Sequence, residues 1–248
     1  MALTDKLTAI ADAIRGKTGK SDSMTLDQMP TEIAGIQAGG GDNPLDYATS
    51  IAYMFRGAVF DAGTELDVTF GTKRVETTTD AGLMHAFNSM LGVKSVKVNC
   101  PTRFVNGFSM SYACSGVADL SSTIEIIDLS GMVQPLLISD FGRCFMNLPK
   151  LREIRGTFDM SKSPSVSNAF HQGSNAVEEI RFAQGTIYSN IAIGKWGNLS
   201  DESIQSIIDG LADMTSGTAQ TISLHSDIVA KLTEEQTAQI HAKNWSVG

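Results

Sequence analysis

Apolar and polar positions alternate along this chain in short bursts, and the bursts return at intervals of a few tens of residues. At the start, Leu7, Ile10, Ala11 and Ile14 fall at i, i+3, i+4 and i+7, the spacing of one helical face. Thr4 can cap that helix and Gly16 can end it, which predicts a helix over about 5–15. After the polar stretch GKTGKSDSM, Thr25 and Gln28 have capping-box spacing, and Met29, Ile33 and Ile36 share the face of a second helix. Two helices this short are unstable apart, so their apolar stripes must pack on each other or on a partner. Leu7, Ile10, Ile14, Met29, Ile33 and Ile36 are therefore the candidate docking residues. AGGGDNP (38–44) reads as a flexible linker.

Beyond the linker the period changes from helical to alternating, and the pattern repeats. AFNSMLGVKSVKV (86–98) and CFMNLPKLREIRG (144–156) carry Phe87 and Phe145 at one spacing from a run with apolar residues at alternate positions. AFHQGSNAVEEIRF (169–182) repeats it with one inserted residue, through Phe170, Val177, Ile180 and Phe182. A looser copy runs from MFRG (54–57) to ELDVTF (65–70), and a degenerate one lies at 111–130. Each unit is expected to hold a short helical turn with a buried aromatic, followed by a strand. No unit can bury its apolar side alone, whereas a stack can, so the pattern predicts an α/β repeat, a solenoid of about five coils. Residues 199–248 change character. Ser200 precedes Ile204, Ile207, Ile208 and Leu211 on one helical face, TISLH (221–225) reads as a strand, and Thr233 with Gln236 opens a last helix that NWSVG closes. Polar helices at the end of a stack suit a C-terminal α/β cap. The expected organisation is a two-helix hairpin at 1–37, a linker at 38–44, the solenoid at 45–198 and the cap at 199–248.

Composition narrows the function. With 248 residues, 42% hydrophobic and 19% charged, the chain can bury a sizeable core. Its net charge of −8 argues against nucleic acid as the main partner, because phosphate binding needs a basic surface. Cys100, Cys114 and Cys144 form no CxxC pair and read as buried small apolar residues. The N-terminal segment lacks the apolar core of a signal peptide, and no run approaches a membrane span. The expectation is a protein made in a cytoplasm and kept there, or assembled there into something larger.

Candidate chemistry is sparse. GKT (16–18) and GKS (19–21) lack the glycine that a phosphate loop needs five residues earlier, where Ala11 and Ile14 stand. His85, His171, His225 and His241 have no ligand-pair spacing, and contiguous His225, Ser226 and Asp227 cannot converge as a triad. No metal, cofactor or catalytic set is expected. Asp67, Glu125, Glu153 and Glu179 lie in or beside strands, where distant coils could pair two of them for glycoside hydrolysis, although Lys97, Arg155 and Arg181 would partly neutralise them. The same outward positions put Ser95, Lys97, Asn99, Glu153, Arg155, Glu179 and Arg181 on one polar sheet face, the candidate ligand surface. Equal register would set Glu153 beside Glu179 and Arg155 beside Arg181, each Glu leaning to the Arg of the neighbouring strand.

LTAIADAIRGKTGKSDSMTLDQMPTEIAGI (7–36) resembles a helical module at the N-termini of tail, baseplate and fibre proteins of phages and prophages of Gram-positive bacteria. The units with AF-x-x-C-x-x-L-x-x-I-x-I spacing resemble leucine-rich repeats of the BspA type, with Met90, Leu148 and Gly173 in the cysteine slot. LSDESIQSIIDGLADMTSGTAQTISL with AKLTEEQTAQIHAKNWSV resembles the terminal unit of such phage repeat proteins. The resemblance implies a leucine-rich-repeat solenoid in a virion tail, assembled in the host cytoplasm. Its partners would be other tail or baseplate proteins and a host-surface carbohydrate or protein, with a homo-oligomer compatible and no membrane insertion. A bacterial surface-binding repeat protein and a tail-borne polysaccharide depolymerase are the alternative readings.

Overall fold

Short runs that alternate apolar with polar residues, each too small to bury one face alone, stack into parallel ladders. The computed structural model describes residues 8, 11–12, 43–78, 82–116, 122–163, 169 and 176–248. The chain divides into two units, Met1–Asp46 and Tyr47–Gly248. In the first, Thr8, Ala11 and Asp12 are helical. The proposed docking residues Leu7, Ile10, Ile14, Met29, Ile33 and Ile36 lie outside the described residues, as do Phe170, His171 and Gly173.

The second unit is a parallel β-solenoid of about five turns. Its described strands are β1 (Val59–Thr69), β2 (Glu76–Thr77), β3 (Leu91–Cys100), β4 (Arg103–Phe104), β5 (Phe108–Ser109), β6 (Ile126–Met132), β7 (Leu136–Asp140), β8 (Glu153–Asp159), β9 (Glu179–Phe182), β10 (Ile191–Ala192), β11 (Gln220–Ser223) and β12 (Trp245–Val247). The main sheet runs β1-β3-β6-β8-β7-β5, with β9 also on β8. Val96 and Val98, Ile127 and Leu129, Ile154 and Ile180 point inward and are at most 1% exposed, so the period-two pattern is the core side of the stack.

The segment before each long strand is a succession of tight turns, where the aromatic spacing predicts a helical turn. Within the first coil Met54, Arg56 and Ala58 donate to the carbonyls of Ile51, Tyr53 and Phe55, while Tyr53, Phe55 and Gly57 donate to Met84, Ala86 and Asn88 of the next coil. Alternate amides thus serve the turn and the stack, which meets the demand of buried backbone donors for partners. A continuous helix would spend every amide on its own carbonyls and leave the coils unlinked. In the buried slot of this ribbon Phe87 and Phe145 are fully buried. Phe87 donates to Ala113 and Cys114 to Cys144, so Cys114 fills the aromatic slot of the coil between them. That substitution is one departure of the unit at 111–130 from its neighbours.

Three helices follow the solenoid strands: α1 (Asp201–Gly210), α2 (Ser226–Val229) and α3 (Glu234–Ala242). Ser200 caps α1 by accepting from Ser203, and Thr233 with Gln236 forms a reciprocal capping box on α3. The C-terminal NWSVG does more than close α3, because Trp245–Val247 pairs in parallel with β11 as β12. Its indole donates to Ala212 O at 2.9 Å, and the ring is 2% exposed, so the last residues are held by a buried anchor. Helix α1 lies along the edge of β9, where the amides of Ile180 and Phe182 donate to the hydroxyls of Ser203 at 3.1 Å and Ser206 at 2.9 Å. An edge strand that would otherwise offer open donors is closed by a helix. Among the described residues no helix is long and apolar enough to cross a membrane.

Candidate functional site

Outward positions of the main sheet line up by strand register. One row is Glu65, Ser95, Ile126, Glu153 and Glu179, and the next is Asp67, Lys97, Asp128 and Arg155. The second row alternates in sign across four strands. Lys97 Nζ lies 3.6 Å from Asp67, and Arg155 lies 3.5 Å from Asp128. Between the rows is a shallow depression of about 370 Å³, lined by Glu65, Asp67, Ser95, Lys97, Ile126, Asp128 and Arg155 among others. Ser95 is short where its neighbours are long, and half-buried Ile126 is the apolar patch on an otherwise polar surface.

Neighbouring groups hold this row in place. Asn99 Nδ2 donates to Asp67 at 2.6 Å and to Thr69 Oγ1 at 3.3 Å. A side chain at Gly131, the residue paired with Asn99 on β6, would collide with the Asn99 side-chain oxygen. Asp128 is 15% exposed and accepts from the Ser130 amide at 3.0 Å and hydroxyl at 2.6 Å. Burial pushes the Asp128 carboxyl up, but the two Ser130 hydrogen bonds and the Arg155 guanidinium outweigh it and leave it below its ordinary range. Arg155 is also forked on Glu153 at 2.7 and 2.9 Å, which raises its own pKa. The face is therefore charged in detail and largely neutralised in pairs.

Of the residues singled out from the sequence, Ser95, Lys97, Asn99, Glu153, Arg155, Glu179 and Arg181 all lie on β3, β8 and β9 of this sheet. Only Ser95, Lys97 and Arg155 line the depression. Equal register holds for Glu153 beside Glu179 and fails beyond it. A bulge after Glu153 sets Thr157, not Arg155, opposite Arg181. Gly156, at φ +122°, is where the backbone makes this irregularity. Each of these glutamates pairs with the arginine two residues along its own strand, Glu153 with Arg155 and Glu179 with Arg181 at 2.9 Å, rather than diagonally across strands. The bulge removes the diagonal partner. Glu125 is also displaced from its expected row: it precedes β6, one residue out of step with Glu153, and pairs with Arg152 at 3.3 Å. Ile126 stands beside Glu153 instead, and the acid that β6 presents is Asp128, in the next row between Lys97 and Arg155.

A second arrangement had no signal in the sequence pattern. On the outer side of the turn ribbon, His85 is stacked between Tyr53, centroid distance 4.9 Å, and Tyr112, 4.7 Å, with rings within 14° of parallel. Arg56 lies over the Tyr53 ring at 5.8 Å and Arg143 over Tyr112 at 5.4 Å, and Arg143 donates to the Tyr112 hydroxyl. Tyr53, His85, Tyr112 and Arg143 all have φ between 52° and 62°, so one left-handed position per coil carries the ladder. Recognising it from sequence would require aligning the left-handed positions, which no glycine marks.

The described residues considered for chemistry have other engagements. Asp67, Glu125, Glu153 and Glu179 are each ion-paired. Among the described residues no group of three or more His, Cys, Asp or Glu could hold a metal ion. The cysteines are buried; burial pushes the Cys114 thiol up to about 12 and raises Cys100 and Cys144 as well, so they are packing groups rather than nucleophiles. His225 caps α2, its Nδ1 accepting from the Asp227 amide at 3.2 Å. Together these features define a β-solenoid with a structured polar sheet face. Comparison with family models, with curated proteins and with solved structures finds no match to the chain.

Proposed function

We propose that the chain is a structural and adhesion component of a phage tail or tail-like particle, with its N-terminal helices docking on the tail and its solenoid presented to the host surface or to neighbouring subunits. In this reading the coils are leucine-rich repeats of the BspA type, and the last 50 residues cap them. Two things support it: the resemblance of residues 7–36 to the tail module, and the row of side chains alternating in charge across four strands. The observation that carries the binding role is the depression around Ser95 and Ile126, walled by the Asp67–Lys97 and Asp128–Arg155 pairs. Paired donors and acceptors beside an apolar patch suit a hydroxyl-rich or peptide ligand held by several hydrogen bonds.

The exposed Asp67–Lys97 pair contributes about 0–1 kcal/mol, so stability does not account for that end of the row. The double variant Lys97→Ala/Arg155→Ala is expected to melt within a few degrees of wild type and to lose adsorption to host cells. Full adsorption by the folded double variant would remove this face as the receptor site.

A further inference from the structure

Away from the sheet face, β4, β5, the β6–β7 turn and the end of β8 enclose a cavity of about 320 Å³. Its floor is apolar. Phe104, Phe108 and Met132 are 5%, 2% and 5% exposed, and the two rings meet at 5.1 Å with a tilt of 50°. Val133, 40% exposed, and Pro135 form one wall. Between them, Gln134 spends its amide on the fold: Nε2 donates to Leu129 O at 3.0 Å and Met132 O at 3.2 Å, and Oε1 accepts from the Thr157 amide at 2.8 Å. The opposite wall is tied to the first coil, where the Thr102 hydroxyl donates to Gly71 O at 2.6 Å and the Arg103 amide to Val75 O at 2.9 Å. Both walls are thus fixed before any ligand arrives, the condition under which a small cavity binds with little ordering cost.

Two charged residues line the mouth. Asp159 turns one carboxylate oxygen to its own loop, accepting from the Ser161 amide at 2.9 Å. Arg103 is exposed and its guanidinium has no ion pair or hydrogen bond among the described residues, although Glu76 stands opposite it in the β2–β4 register. A guanidinium fork without a partner among the described residues, beside an aromatic floor, selects for a ligand with both features. We propose that this cavity binds an apolar ring carrying a carboxylate, with the ring on Phe104 and Phe108 and the carboxylate in the Arg103 fork. A neutral ring forfeits the fork, and a cationic one would have to gain from Asp159, one of whose oxygens is already engaged, what it loses against Arg103. The site is independent of the receptor-binding reading, since none of its residues lies on the depression of the sheet face.

The test is isothermal titration of the full chain with phenylacetate, its neutral isostere phenylacetamide, and N-acetylphenylalanine. The last presents the same chemistry as a protein C-terminus. Phenylacetate or N-acetylphenylalanine is expected to bind at least about tenfold more tightly than phenylacetamide. Tighter phenylacetate identifies a free aryl acid as the natural class, and tighter N-acetylphenylalanine a chain end. Arg103→Gln, with its melting temperature checked against wild type, is expected to reduce acid binding to the level of the amide. Val133 methyl resonances should shift on binding, and Lys97→Ala/Arg155→Ala should leave this binding unchanged. No binding of either acid up to about 10 mM, equal binding of acid and amide, or full binding by folded Arg103→Gln would overturn the proposal.

Discussion

His85 shows how much one side chain depends on its neighbours in the stack. Both faces of its ring are covered by tyrosines, and its Nδ1 is buried with no hydrogen-bond partner among the described residues. Burial, then the nearby Arg56 charge, holds its pKa below the ordinary histidine value. A base whose folded pKa is depressed is protonated more readily in the unfolded chain, so stability is retained above the unfolded value and lost as pH falls through it. Denaturant unfolding at pH 7.5 and pH 5.5 should therefore show a smaller loss on acidification for His85→Phe, which keeps a ring in the stack without the titration, than for wild type. Equal losses would show that the stack tolerates the imidazolium. The sequence exposes His85 only as one of four scattered histidines. Its partners, Tyr53 and Tyr112, are 32 and 27 positions away, and stacking across coils leaves no local pattern.

At the scale of elements, closure of the β9 edge is the feature most open to a direct test. Ile180 and Phe182 donate to Ser203 and Ser206, and Ser203 is fully buried. Removing the hydroxyls leaves two backbone donors facing a helix without acceptors, at about 1–3 kcal/mol each. The helix propensity gained by alanine returns only about 0.5 kcal/mol per site. Ser203→Ala/Ser206→Ala should therefore destabilise the chain in denaturant melts and speed hydrogen exchange at the Ile180 and Phe182 amides selectively. Unchanged stability with unchanged exchange would mean that the edge is closed by apolar packing of α1 alone. The helix itself was legible, because its cap at Ser200 and its apolar face at Ile204, Ile207, Ile208 and Leu211 are local signals. The role of Ser203 and Ser206 was not: serines three residues apart on a helix read as a solvated face until a strand edge is brought against them.

For the whole molecule, the docking role proposed for residues 1–37 makes its own prediction. The solenoid's buried apolar residues are contributed by its own coils and C-terminal helices, so a chain lacking residues 1–38 is expected to unfold cooperatively and to stay out of sedimenting particles in an induced-lysogen lysate, whereas the full chain is expected to co-sediment. Normal incorporation of the truncated chain would place docking elsewhere. What the sequence by itself determined was everything set by near neighbours: the alternating runs that become strands, the buried slot of Phe87 and Phe145, and the caps of α1 and α3. A solenoid was readable because each of its units repeats the same local problem, an apolar side that only stacking can bury. The tertiary structure alone decided which side chains meet. Partners such as Asp67 and Asn99, or Glu125 and Arg152, stand 27 to 32 residues apart, and coil lengths and bulges such as the one at Gly156 set the offset between them. One residue of slippage would put Glu125 in place of Ile126 beside Glu153 and take Asp128 out of the charged row, and that choice is made by packing and hydrogen bonding between coils rather than by anything in the runs themselves.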